Sequence, residues 1–193
     1  LLQLAYIGNF YARHALKLEH PRVALLNIGT EESKGTPLHK EAYALLEQAG
    51  AEGHIRFIGN IEAKEALKGG ADVIVTDGFS GNIMLKTIEG VGFFLKIKLK
   101  EIFFKSLWTK LAALLVKDGV TDIKTTLDPN ERGATPLLGI SKPVLKAHGS
   151  SNARAIRNAV KAAIHCVDSH LEQEIADHIS LMQIKSTGKD DFK

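Results

Sequence analysis

Apolar and polar positions along this chain switch between two periods, and each switch marks a new element. Leu1, Leu4, Ala5, Gly8, Ala12, Ala15 and Leu16 fall at helical spacing within Leu1 to Leu18. That helix starts without a methionine, a capping residue or a preceding strand, so the chain reads as the later portion of a longer protein. Arg22 to Ile28 is a short, nearly unbroken apolar run, the mark of a strand covered on both faces. The polar stretch Gly29 to Gly35 leads into a helix over Pro37 to Ala49, with proline suited to its first turn. His54 to Ile58 predicts a second strand, Ala63 to Lys68 a short helix, and Ala71 to Thr76 a third strand. Such alternation predicts an α/β fold whose mostly parallel sheet has helices on both faces.

After Asp77 to Asn82 the pattern is mostly helical from Met84 to Lys117, with Leu95, Leu99, Ile102, Leu107, Leu111 and Leu114 in phase. Lys96 to Lys100 also fits strand alternation. Asp128 to Gly133 is a turn cluster, and Leu137 to Ile140 and Val144 to His148 predict two strands around Ser141-Lys142-Pro143. The last helix spans about Asn152 to Ile175 and aligns Ile156, Val160, Ala163, Val167, Leu171 and Ile175. Residues 1–179 are expected to form one domain, followed by a polar, disordered tail over 180–193.

With 193 residues, 45% of them apolar, the chain can build a real core, burying about 70% of its unfolded surface. That fraction excludes a disordered or collagen-like chain. The single cysteine, Cys166, excludes a disulfide framework and zinc sites built on CxxC pairs. The longest apolar run, Leu111 to Val116, is far short of the roughly 20 residues of a spanning helix. No signal peptide is visible, so a soluble cytoplasmic protein is expected.

Charge is uneven. Between Met84 and Lys117 seven lysines face only Glu89 and Glu101, a local net of +5, while the whole chain is +3. Five of the twelve aromatic residues (Phe93, Phe94, Phe103, Phe104 and Trp108) share that stretch. A basic, aromatic-rich segment in an otherwise balanced chain signals a binding partner.

Three segments share the order strand, small polar loop, helix start: Gly29 to Gly35, Asp77 to Asn82, and His148 to Asn152. In open parallel sheets ligands bind beyond the carboxyl ends of strands. Helix starts there offer N–H groups and partial positive charge to an anion such as phosphate. Taken singly, Asp77, Ser80, Ser150 and Asn152 are ordinary helix caps. Gly90-Val91-Gly92 lacks the third glycine of a dinucleotide fingerprint, and no Walker A sequence occurs, so neither a redox cofactor nor a nucleotide is supported. Cys166 reads as a small buried hydrophobe, and Ser80 lacks a G-x-S-x-G frame. The histidines show no metal-ligand spacing; His165, His170 and His178 read as helix-surface residues, while His148 ends a strand.

RVALLNIGTEESKG, ADVIVTDGFSGNIMLKTIEG and PLLGISKPVLKAHGSSNARAIRNA together resemble the phosphate acyltransferase family of bacterial fatty acid and phospholipid synthesis. The resemblance runs from about Leu1 to Ile175, without the family's glycine-rich N-terminal portion. Its E-Y-G-G-A-P-L-L-G stretch reads Glu131-Arg132-Gly133-Ala134-Thr135-Pro136-Leu137-Leu138-Gly139 here, with an aromatic and a glycine replaced. The family implies a three-layer α/β/α fold like that of isocitrate and isopropylmalate dehydrogenases, and a protruding helical hairpin at about residues 88–117. It also implies a homodimer that converts acyl-[acyl carrier protein] and orthophosphate into acyl phosphate and free carrier protein, without metal or other cofactor.

Asn82 and Lys34 are the residues expected to contact phosphate and the developing oxyanion. Thr30, Glu31, Asp77, Ser80, Gly81 and Lys86 are expected to bind substrate, with His148, Ser150, Ser151 and Asn152. Lys110, Leu111, Leu114, Leu115 and Lys117 would serve acyl carrier protein, a dimer partner, or reversible peripheral attachment to an anionic membrane surface. No nucleic-acid partner is implied. The alternatives are a phosphotransacetylase-like enzyme using acyl-CoA and a non-catalytic peripheral membrane scaffold.

Overall fold

The unbroken apolar run of the sequence becomes the most deeply buried strand, β1 (Arg22–Leu26), in which Val23, Ala24 and Leu25 are inaccessible to solvent. Both of its edges are paired in parallel, to β2 (Arg56–Ile61) on one side and β3 (Val73–Val75) on the other. The computed structural model describes residues 1–121, 133–149 and 151–183. These divide into two compact units: Leu1–Thr76, Leu138–Pro143 and the chain from His165 onward, and Asp77–Leu137 with Val144–Ile164.

In the first unit, α1 (Leu2–His14) packs on β3 and α2 (Pro37–Ala51) on β2, and the two helices touch. The buried face of α1 is carried by Ala5, Tyr6, Phe10 and Ala12, whereas Leu4 and Leu16 are exposed; the aromatic rings, more than the leucines, fill the space above Val23 and Leu25. Leu46 of α2 completes this core, and each fully buried leucine contributes about 1.5–3 kcal/mol. The second strand begins and ends later than the period suggests, and within it Ile58 and Gly59 stand opposite Ala24 alone. Gly59 sits in this bulge at φ +91°, and Asn60 and Ile61, which follow it, are both buried. The short helix α3 (Ala63–Ala66) returns the chain to β3.

The start of the sheet is locked by a bidentate pair. Arg22 donates from Nε and Nη2 to the two carboxylate oxygens of Asp72 at 2.9 and 2.8 Å, and its guanidinium also reaches the carbonyls of Gly69 and Gly70. Backbone bonds run both ways, from Arg22 N to Asp72 Oδ2 and from Asp72 N to Arg22 O.

The second unit holds α4 (Gly78–Phe103) and α5 (Leu107–Leu115), so Lys96 to Lys100 is helical. It also holds an antiparallel pair, β4 (Ala134–Pro136) with β5 (Leu145–Ala147). Leu137 to Ile140, expected to be a strand, is not one: Gly139 sits at φ +79° and breaks the extended run, and the pairing strand lies earlier. The expected single last helix is two, α6 (Ala153–Asp168) and α7 (Leu171–Asp177), separated by His170 at φ 52°. Ser169 Oγ donates to the Cys166 carbonyl at 2.6 Å, taking an acceptor that continued helix would use. α6 buries small residues, Ala155 and Cys166, and leaves Ile156, Val160, Ile164 and Val167 exposed.

His165, exposed on α6 as expected, donates from Nε2 to the Ala15 carbonyl (2.6 Å), whereas His178 lies past α7, half-buried, with its ring 5.3 Å from that of Phe10. Ile179–Met182 is a turn of 3₁₀ helix with Met182 buried, so the polar tail starts later than Ser180. The Asp128 to Arg132 turn, Ser150 and residues 184–193 lie outside the described residues.

The Arg22 hydrogen bonds hold the Asp72 carboxyl at about 2, below the ordinary value of about 3.9. A depressed folded-state value gives stability that is complete above the unfolded value and lost as pH falls through the folded one. Acid unfolding of the protein should therefore contain a component between about pH 4 and 2 that Asp72→Asn removes. A variant whose acid profile keeps that component would show that the pair does not set it.

Candidate active site

The loop from Gly29 to Gly35 leaves the carboxyl end of the central strand and is folded over its own glycines. Glu31 and Lys34 lean back across Gly29: a side chain there would meet Glu31 Oε2 at 2.7 Å and the aliphatic stem of Lys34 at 3.1 Å. Lys34 Nζ stands 3.8 Å from Glu31 Oε1, with both groups largely in solvent, so the ammonium can exchange this carboxylate for another anion at little cost. Lys34 N donates to the Glu31 carbonyl at 3.1 Å, closing a turn. The N–H groups of Thr30, Glu31, Glu32 and Ser33 donate to no acceptor among the described residues. Unpaired N–H groups and an exposed ammonium on one loop are the kinds of donor that hold an oxyanion.

Two residues that the periodicity does not single out hold this loop. Asn27, at the exit of β1, accepts from Ile28 N at 2.8 Å and donates from Nδ2 to the Lys34 carbonyl at 3.2 Å. Asn60, turned inward by the Gly59 bulge, donates to the Glu31 carbonyl at 2.8 Å. Two of the three parallel strands, β1 and β2, end their apolar runs with Asn-Ile, and an amide interrupting a buried strand was the legible signal. Gly35 lies at φ +85° against Asn27: an added Cβ would come within 2.6 Å of Asn27 Oδ1 and 2.8 Å of His39 Cβ.

The other two segments belong to the second unit and are dominated by capping. Asp77 Oδ1 accepts from Phe79 N and Ser80 N, both at 2.9 Å, and so occupies two donors that an anion would use at the start of α4. Gly81 N donates to the Asp77 carbonyl. Ser80 is half-buried and Asn82 exposed on the first turns of α4, while Lys86 pairs with Glu89 at 2.7 Å. His148 follows β5, its carbonyl accepting from Ser151 N at 3.0 Å, and Asn152 Oδ1 accepts from Ala155 N at the start of α6. Thus Asp77 and Asn152 both cap helices, and Lys34 with Thr30 and Glu31 belongs to a loop of different construction.

Cys166 is buried, which together with Glu172 pushes its thiol up and leaves it a poor nucleophile. Among the described residues no group of three His, Cys, Asp or Glu side chains is placed to hold a metal ion. On α5, Lys110 lies 5.7 Å from the centre of the Phe104 ring, and the apolar groove it borders holds Phe103, Leu107, Leu111 and Leu114. Leu115 is 89% and Trp108 81% exposed. No helix among the described residues is long and apolar enough to cross a membrane.

A family model described as fatty acid synthesis protein matches residues 1–174. Among similar curated proteins, one from Oceanobacillus iheyensis is 51% identical over 87% of this chain and 49% of its own length. One from Exiguobacterium is 50% identical over 91% of the chain and 52% of its own, and one from Alkaliphilus oremlandii 45% over 100% and 55%. All three carry the name phosphate acyltransferase. The chain spans about half the length of these relatives.

The loop packing makes a paired test. Gly53 shares the left-handed backbone (φ +78°) with nothing within 4 Å, whereas Gly35 adds the collision with Asn27 and His39. Equilibrium denaturation should register a loss of about 1 kcal/mol for Gly53→Ala and about 2–4 kcal/mol for Gly35→Ala. Equal losses would mean that the Asn27 contact is not rigid.

Proposed function

The chain belongs to the fatty acid synthesis protein family, and from that premise we propose that the full-length protein transfers an acyl group from a carrier-protein thioester to orthophosphate. The relatives' shared name supports this reading, and the observation that carries it to residues is the lysine-bearing loop at the carboxyl end of the central parallel strand. In this reaction phosphate is itself the nucleophile, so the poor thiol of Cys166 is no obstacle.

A phosphate oxygen attacks the thioester carbonyl carbon, and the carbonyl electron pair moves onto oxygen. The tetrahedral intermediate collapses with cleavage of the C–S bond, releasing acyl phosphate and a thiolate. A thiol of ordinary pKa about 8.5 leaves with little acid assistance. Lys34 gives up Glu31 for the phosphate dianion, and the open N–H groups of Thr30 to Ser33 share its charge. Asn82 is assigned by its motif as a donor to the oxyanion, with Ser80 beside it on the same turn and Asp77 holding that turn in shape. His148, Ser150, Ser151 and Asn152 are assigned to substrate binding from their motif, and Lys86 from its place beyond Asn82.

The partners follow from the second unit's surface. The net +5 of Met84 to Lys117 suits steering of an acidic acyl carrier protein. Leu111, Leu114 and Leu115, flanked by Lys110 and Lys117, suit shallow insertion at an anionic membrane surface, and the remaining apolar face of α4 suits a dimer partner. The isocitrate-dehydrogenase-like three-layer fold and the helical hairpin are part of the same proposal.

With full-length protein, phosphate-dependent consumption of acyl carrier protein thioester is expected, and Lys34→Ala and Asn82→Ala should each lower it about 10²–10³-fold with folding intact. Unchanged rates in both variants would remove the site, and faster turnover of acyl-CoA would assign the donor differently. In flotation with anionic liposomes, Leu115→Glu should leave the protein in the soluble fraction; partitioning equal to wild type would refute insertion.

A further inference from the structure

The Gly29 to Gly35 loop is exposed, yet the groups that shape it are not. Asn27 and Asn60 are 9% and 8% exposed, and both spend an amide donor on a carbonyl of the same four-residue turn. Asn60 grips its first carbonyl, Glu31 O, which also receives Lys34 N; Asn27 grips its last, Lys34 O. The turn that carries the ammonium is therefore tied at both ends to the sheet, one tie from each of two neighbouring parallel strands.

Asn60 is held there against a penalty. Its Oδ1 is buried with no hydrogen-bond partner, and a buried acceptor without a donor opposes folding. A β-branched apolar residue would suit a buried strand position and leave no such oxygen. What it would lose is the donor to Glu31. The backbone is also bent to deliver this amide: the alternation begun by exposed Arg56 and Ile58 would turn position 60 outward, and the extra residue at Gly59 turns it in. Two unfavourable local features thus converge on one bond to the loop.

We propose that Asn27 and Asn60 are positioning residues, a pair of buried amides that fix the turn Glu31–Lys34 and so preset where the Lys34 ammonium meets phosphate. This rests on the reading of that loop as the phosphate-holding element. Preset geometry spares the enzyme the ordering of a flexible lysine loop when the dianion arrives, and a misplacement of about 1 Å is enough to cost about 10²-fold in rate.

Asn60→Val removes the donor and the unpaired oxygen together; Asn60→Asp keeps the shape but sets a carboxylate oxygen against the Glu31 carbonyl. In full-length protein both should raise KM for orthophosphate about tenfold, leaving KM for the acyl thioester unchanged. Asn60→Val should also keep the melting temperature within a few degrees. Amide exchange of Lys34, whose N–H closes the turn, should quicken about tenfold while that of β1 and α2 stays at the wild-type rate. A merely structural asparagine gives the opposite pattern: a lowered melting temperature, slower turnover and an unmoved phosphate KM. That result, or unaltered exchange at Lys34 in both variants, would overturn the inference while leaving the activity assignment in place. If wild-type protein shows no phosphate-dependent turnover, the assignment itself fails and the inference with it. Should Asn60→Val not fold, Asn60→Asp and the equivalent Asn27→Asp decide on the same readouts.

Discussion

A parallel strand paired on both edges, with Val23, Ala24 and Leu25 closed to solvent, has to be held where its chain enters and leaves the core, and that constraint shapes the first unit. Where β1 begins, Arg22 takes Asp72 and two further carbonyls, tying the first residue of the strand to the approach to β3. Where it ends, Asn27 takes the next N–H and the far carbonyl of the following loop. The ionic lock sits at the amino ends of the strands and the neutral amides at the carboxyl ends. The charged group left for chemistry at the carboxyl end is Lys34, which has only an exposed carboxylate to release.

The three loops that look alike in sequence divide by what they do with helix-start donors. A carboxylate at an N-cap stabilises its helix by meeting the N–H groups and the dipole, and by the same contacts it repels a second anion. Asp77 is such a group, and Asn152 does the neutral equivalent. The loop after β1 leads into α2 through Thr36, whose side chain makes no bond to a helix N–H, and its own N–H groups stay open. Fixing the loop through its carbonyls is what leaves those donors available.

Much of this was legible in the residues. The unbroken run Val23 to Leu26, the proline-led α2, the strand ending at Val75 and the caps Asp77 and Asn152 all follow from local chemistry. The second strand runs past its expected end at Ile58 because periodicity assumes one residue per step, and Gly59 inserts an extra one. Leu137 to Ile140 is apolar enough for a strand but contains Gly139, whose left-handed backbone no composition argument reveals. The break at His170 likewise depends on a serine hydroxyl bonding back to Cys166. At the site, Lys34 could be named from its motif, whereas the roles of Asn27 and Asn60 required knowing that two strands distant in sequence end side by side.

The 26 residues of α4 bury no side chain, and Gly90 and Gly92 in its interior each weaken it by about 1 kcal/mol. Its internal support comes from surface pairs such as Lys98 with Glu101, worth a few tenths of a kcal/mol apiece. Unwinding a turn of it would expose no core, so the sheet can survive while this helix frays. Trypsin would be expected to nick first around Lys96, Lys98 and Lys100, and a molecule seated on α4 would protect those bonds merely by holding the helix shut.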